Sequence, residues 1–266
     1  MKKLTEKKEM KSGSPIVPFA KAGGVHELVE LKLAPTTNVR PDNLNYHANA
    51  GKYDDEITRS IPKHRELHEQ ISKIVAQRYK AKKIKMLELG LGTGITSGVV
   101  LAAAGAGSTL RGIDFSTEML AEARRKLAKY GELVELIYGD YAELPLGAGY
   151  DLAVTVLGIH HQTDDGKKLM FKRTAESLKT GGMFILGDLM THRDGHKAAL
   201  NDALHYAFLV QNATDAKMLE EWAYHHKFLN QLAPVEDQIQ WLLEAGFSKA
   251  ELVFSEFNTA LVVAVK

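Results

Sequence analysis

Three acidic residues and three glycines form an ordered series along the middle of the chain: Glu88, then Gly90, Gly92 and Gly94, then Asp114 and Asp140. Glycines at alternate positions permit backbone conformations closed to other residues and bring main-chain N–H groups close to a ligand. Glu88 puts a negative charge at the mouth of that loop, which opposes a phosphate sitting directly there. A carboxylate such as Asp114, twenty residues beyond Gly94, can accept two hydrogen bonds from ribose hydroxyls. The same placement would suit a dinucleotide, but the G-x-G-x-x-G pattern fails: its third glycine falls on Ile95 counted from Gly90, and on Ser97 counted from Gly92. Further along, His160 and His161 are neighbouring imidazoles able to take a proton from a hydroxyl or amine. No H-E-x-x-H pair is present. His192 and His196 lack an evident third ligand and straddle Gly195, and His225-His226 adds no helix-spaced partner, so no metal site is expected.

These residues need elements to hold them, and strand and helix signals alternate around them. Apolar strands are expected at Ile84–Leu89, Leu110–Ile113, Leu133–Tyr138, Asp151–Leu157 and, after Gly181-Gly182, Met183–Leu186. Helices are expected over Gly94–Ala104, from the Ser116 cap through Lys129, and over Lys167–Leu178. Such alternation implies a parallel sheet with helices on both faces. Another helix, with Pro62 near its start, is read from Ile61 to Tyr79. Beyond Leu189 the pattern changes to a helical, aromatic insertion (residues 190–232), a helix over Val235–Glu244, and an apolar hairpin of Ala250–Phe254 and Ala260–Val265. Tyr206, Phe208, Trp222, Tyr224 and Phe228 in the insertion suit either a core or a pocket lining.

Composition narrows the field. The 266 residues are 45% apolar and 25% charged, ordinary for a globular enzyme, and a net charge of +1 offers no general attraction to nucleic acid or an anionic membrane. With no cysteine there is no thiolate nucleophile, disulfide or Cys-ligated metal. No apolar run is long enough to span a bilayer, and Met1–Lys11 is charged and lacks the apolar core of a secretory signal, so a cytoplasmic location is expected. Residues 1–45 read as an extension, its first part a solvated tail and the rest packed on a main domain of residues 46–266. A second copy of the chain is a candidate partner, through the aromatic insertion.

The run Met86–Gly94, with Asp114, Asp140 and the terminal hairpin, resembles the class I S-adenosylmethionine-dependent methyltransferases. Tyr150–Leu157 resembles their fourth motif, and Ser177–Phe184 the helix end, Gly-Gly turn and strand that follow. The resemblance implies a Rossmann-like α/β fold with a seven-stranded mixed sheet, helices on both faces and a helical lid. It also implies S-adenosylmethionine held by Tyr53, Glu88, Gly90, Gly92, Gly94, Asp114, Phe115, Asp140, Tyr141 and Leu157, with Asp140 toward the adenine amino group and Tyr46 and Tyr53 in a cover or anchor. The expected reaction is methyl transfer to a small-molecule nucleophile, with His160 or His161 as general base. A narrower likeness, through Tyr53-Asp54-Asp55, Ile61-Pro62 and Leu243–Phe247, is to the carboxy-S-adenosylmethionine synthases. Those enzymes hold an extra carboxylate with an arginine of the insertion, whereas His205–Asn212 contains none, which favours ordinary S-adenosylmethionine. A tRNA-modifying methyltransferase, a cofactor-remodelling enzyme and a catalytically idle binding protein are the alternatives.

Overall fold

The structure, a computed structural model, describes residues 50–266 and the backbone of two short strands before them; Tyr46 and the Met1–Lys11 segment lie outside the described residues. Those strands, β1 (Ile16–Ala20) and β2 (His26–Glu30), pair antiparallel. Two helices follow, α1 (Ala50–Ser60) and α2 (His64–Tyr79). The sequence pattern predicts a single helix starting at Ile61, and the structure corrects this. Pro62 has no N–H to donate and Lys63 takes a left-handed φ of 60°, so the chain breaks there and α2 begins at His64. Lys52, Asp54, Asp55 and Glu56 hide α1 from an apolar-periodicity reading.

Five parallel strands come next: β3 (Lys85–Leu89), β4 (Thr109–Asp114), β5 (Val134–Tyr138), β6 (Tyr150–Val156) and β7 (Leu178–Leu189). The hairpin of β8 (Lys249–Glu256) and β9 (Thr259–Val265) completes a seven-stranded sheet of order β5-β4-β3-β6-β7-β9-β8, with β9 antiparallel to both neighbours. β7 starts earlier than the Gly181-Gly182 break predicts. The pairing instead jumps from Tyr150↔Leu178 to Leu152↔Met183, so the glycines form a bulge inside the strand.

Packed on one face are α5 (Asp164–Ser177) and α8 (Val235–Glu244), whose core includes Phe171, Phe184, Leu242 and Phe247. On the other face α2, α3 (Ile95–Ala103) and α4 (Thr117–Leu127) bury Leu67, Ile71, Val100 and Leu120. Each such side chain contributes about 1.5–3 kcal/mol. Ser116 caps α4 as its spacing predicts, accepting from the Met119 N–H at 3.2 Å. The helix ends at Leu127, before Lys129, and continues as a tighter turn broken at Gly131.

β3 and β6 lie side by side although the chain runs outward from β3 through β4 and β5 before returning. A crevice opens at the carboxyl ends of strands where the order reverses in this way. The insertion covers that end with α6 (Gly195–Asn212), α7 (Ala216–Tyr224) and a π-helical turn at His225–Leu229, around a small core of Leu209, Leu219, Trp222 and Ala223.

Candidate functional site

A cavity of about 510 Å³ occupies the crevice, walled by the glycine loop, the carboxyl ends of β4, β5 and β6, helix α1 and the insertion. Its floor is set by backbone geometry. Gly90, Gly92 and Gly94 all have positive φ, at 68°, 54° and 82°. A side chain at Gly94 would also meet Leu127 at 3.1 Å, so this glycine lets α3 approach α4 closely. Asp114 ends β4 and is buried; its carboxylate accepts from the Gly92 N–H at 2.8 Å and the Ser116 N–H at 2.9 Å, tying loop to helix cap. Leu157, just past β6, holds a left-handed φ of 55° that costs a non-glycine residue of order 1–3 kcal/mol. Its N–H donates to Gly187 at 2.8 Å, which keeps the turn in place.

Eight of the ten residues predicted to contact a cofactor line the cavity: Tyr53, Gly90, Gly92, Asp114, Phe115, Asp140, Tyr141 and Leu157. Tyr141 is buried and its hydroxyl donates to the Gly158 carbonyl at 2.6 Å, bracing the β5 turn against the β6 turn. Asp140 is exposed, with one oxygen accepting from the Ala142 N–H at 2.7 Å. Tyr53 is partly buried, and desolvation, with the nearby charges of Asp114 and Asp54, raises its phenol pKa. Helix α1 is clamped over the loop by Asp54, which accepts from Thr93 Oγ1 at 2.6 Å and pairs with Lys126 of α4.

The other two, Glu88 and Gly94, stand behind the wall, and Glu88 does not put a charge at the mouth. It is buried under the loop and accepts from Ser97 Oγ at 2.5 Å. Desolvation, opposed by the Ser97 bond and aided by the Asp114 charge, pushes its carboxyl up to about 8. Stability from this group is therefore complete below about 4.5 and is lost as pH rises through about 8, because the unfolded chain ionises first. Glu88→Gln keeps the Ser97 acceptor and removes that loss. Its melting temperature should match wild type near pH 4.5 and exceed it by about 5 °C or more at pH 8. Equal melting curves across this range would disprove a buried, proton-holding Glu88.

Opposite the loop the wall is made of imidazoles: His160, His161, His205, His225 and His226 all line the cavity. His160 is buried and its Nδ1 pairs with Asp188, whose carboxylate also accepts from the N–H groups of Ile159 and His160 at 3.0 Å and of Leu189 at 2.9 Å. His161 Nδ1 lies 3.2 Å from the Leu229 carbonyl. Burial, then their neighbouring histidines, lowers the pKa of His205 and His225, so both are neutral at pH 7. Among the described residues the buried atoms Ser60 Oγ, His205 Nδ1 and His226 Nδ1 have no hydrogen-bond partner, which marks the wall as one suited to a polar ligand. Trp222 serves both the insertion's core and the cavity lining. Among the described residues no lysine or arginine lines the cavity.

The His160-His161 turn is tied to the end of the insertion. Gln231 N–H donates to the His160 carbonyl at 2.8 Å, and the buried Lys167 amine donates to the Gln231 carbonyl at 2.6 Å and to that of Gln162. Asp188 escapes a sequence-based reading because it lies within the apolar run of β7; a lone charge in such a run is the signal that could have found it. His205, His225 and His226 come from the insertion, and nothing in their spacing ties them to His160. His192, by contrast, bonds Glu236 at 3.1 Å and lies off the cavity wall.

This fold and crevice agree with what known proteins show. A family described as "Methyltransferase domain" matches residues 86–182. An uncharacterized methyltransferase of Oceanobacillus iheyensis is 32% identical over 52% of this chain, and the match spans 62% of that protein, under two thirds of its length. The carboxy-S-adenosyl-L-methionine synthase of Nautilia profundicola is 26% identical over 82% of this chain and 92% of its own. The solved structure of the CurJ carbon methyltransferase superposes with a TM-score of 0.61 at 16% identity, covering 85% of this chain and 61% of that one. Residues 86–182 thus match a methyltransferase domain, and the fold is the Rossmann-like one of the solved methyltransferase. No described helix is long and apolar enough to cross a membrane.

Proposed function

We propose that the protein transfers the methyl group of S-adenosylmethionine to a small, uncharged or weakly polar molecule whose nucleophile meets the cofactor beneath the helical cover. The observation that carries this reading is the single cavity joining the glycine loop to the histidine wall. In it Asp114 is the acceptor for the ribose hydroxyls, Asp140 lies toward the adenine, and Tyr141, Phe115, Leu157 and Tyr53 surround the nucleoside. The sulfonium needs no activation, so the protein's chief contribution is to hold methyl carbon and nucleophile in line, worth up to about 7–11 kcal/mol. Activation of a protonated nucleophile falls to the wall of His160 and His161. A cavity wall whose described residues include no lysine or arginine is poorly suited to a nucleic-acid phosphate or to the additional carboxylate of carboxy-S-adenosylmethionine.

The test is mass spectrometry of the small molecules released when freshly purified protein is denatured, followed by calorimetric titration with S-adenosylhomocysteine. Release of S-adenosylmethionine or S-adenosylhomocysteine, or a dissociation constant in the micromolar range, is the expected result. A released species heavier by one carboxyl group would replace the proposal with cofactor remodelling, and no binding of either ligand would overturn it. An acceptor screen should then favour neutral hydroxyl, thiol and amine compounds over tRNA, whose binding, if electrostatic, would weaken steeply with salt.

A further inference from the structure

Where the turn after β6 meets the π-helical turn of the insertion, His160, His161 and His225 bring three ring nitrogens, one from each, within 4.8 Å of one another. Nitrogens sharing one zinc ion at about 2.0–2.1 Å in tetrahedral geometry stand about 3.3 Å apart, a closure that small side-chain rotations supply. Two of the rings are already oriented from behind. Asp188 holds Nδ1 of His160, and the Leu229 carbonyl faces Nδ1 of His161 at 3.2 Å. An Nδ1–H turned to an oxygen leaves Nε2 with its lone pair, the arrangement found behind metal-bound imidazoles. Their rings pack at 4.0 Å, and those of His161 and His225 at 5.2 Å. All three line the cavity, so a fourth ligand position would open onto it. Three histidines with one open position is the ligand set of a catalytic rather than a structural zinc site.

We propose that His160, His161 and His225 bind one divalent transition-metal ion, with Zn²⁺ as the first choice, whose fourth ligand is the oxygen or sulfur of the methyl acceptor. Three nitrogen donors suit a borderline ion such as Zn²⁺ and disfavour Mg²⁺ or Ca²⁺, which take oxygen. The inference draws its acceptor from the methyltransferase reading and narrows it to an ionisable O–H or S–H compound. Bound to the metal, the acceptor loses its proton to water. The resulting oxyanion or thiolate forms a bond to the methyl carbon as the carbon–sulfur bond breaks and its electron pair goes to the cofactor's sulfur. The products are the methylated acceptor, S-adenosylhomocysteine and the released proton. The metal thereby takes over the general-base role expected of His160 or His161 from the sequence.

The full chain, stripped of metal by chelation and dialysis, is titrated with Zn²⁺ alone by calorimetry and with Co²⁺ under visible spectroscopy. The same preparation is titrated with S-adenosylhomocysteine. One Zn²⁺ per chain with a dissociation constant below about 1 µM, and strong Co²⁺ absorption bands of a four- or five-coordinate site, are expected. His225→Ala should weaken Zn²⁺ binding at least about 100-fold, while His196→Ala, at an exposed position, should leave it unchanged. If His225→Ala fails to fold, judged by its melting curve, His161→Asn is the second variant. Binding weaker than about 100 µM, or tight binding that survives both ligand substitutions, overturns the proposal. Tight S-adenosylhomocysteine binding without tight Zn²⁺ binding removes the metal and leaves the methyltransferase reading standing; the converse result does the opposite.

Discussion

Replacing Asp114 by alanine is expected to weaken S-adenosylhomocysteine binding by about 100-fold, measured by titration calorimetry. The size of the effect follows from how much converges on one carboxylate. Its two oxygens hold the Gly92 and Ser116 N–H groups, so the side chain shapes the glycine loop and the start of α4 before any ligand arrives. A ribose would add charge-assisted bonds to the same oxygens, each worth about 1.5–3 kcal/mol. Asp140→Ala provides the contrast. That carboxylate is exposed and makes one local bond, so solvent replaces much of what it loses and a decline of only about tenfold is expected. Equal losses for the two variants, or none at Asp114, would move the nucleoside elsewhere in the cavity.

Asp188→Ala should lower the stability of the protein by about 3–5 kcal/mol, seen as a drop in melting temperature on the order of 10 °C. The carboxylate is buried and receives three main-chain N–H groups as well as the His160 ring; alanine leaves all four donors without their acceptor. Asp188→Asn separates folding from chemistry. It keeps the size and one acceptor oxygen but no longer fixes the His160 tautomer. This variant should fold, bind S-adenosylhomocysteine nearly as wild type does, and bind Zn²⁺ about 10–100-fold more weakly. Unchanged Zn²⁺ affinity in Asp188→Asn would mean that His160 is not oriented through its Nδ1.

The glycine-loop half of the candidate site is legible in the chain because it is built from local signals at the ends of successive strands. Gly90–Gly94, Asp114 and Tyr141 each lie within a few residues of a strand end, and the alternation of strands and helices brings those ends to one edge of the sheet. At Glu88, spacing says that an acid precedes the loop but not that the sheet buries it beside Ser97. The histidine wall is legible only at His160 and His161. Asp188 is hidden inside the apolar strand β7, and His205, His225 and His226 reach the wall because the insertion folds back over the sheet, a long-range event without a period in the sequence. Helix α1 escapes a periodicity reading for the opposite reason: its polar residues mask a helix that packs through Ile57 and contacts Thr93 and Lys126 through Asp54.

The absence of lysine and arginine from the described cavity wall bears on what happens after transfer. The carboxylates of Asp114 and Asp140 lie on that wall at the glycine-loop end, where the cofactor is proposed to sit. S-adenosylmethionine enters with a sulfonium cation, whereas the spent molecule leaves with a neutral sulfur. At a separation of about 5 Å and an effective dielectric constant of about 20, one carboxylate attracts such a cation by about 3 kcal/mol. That attraction vanishes in the act of transfer, so fresh cofactor would displace spent cofactor, and the reaction would lower the affinity of its own by-product without any movement of the protein.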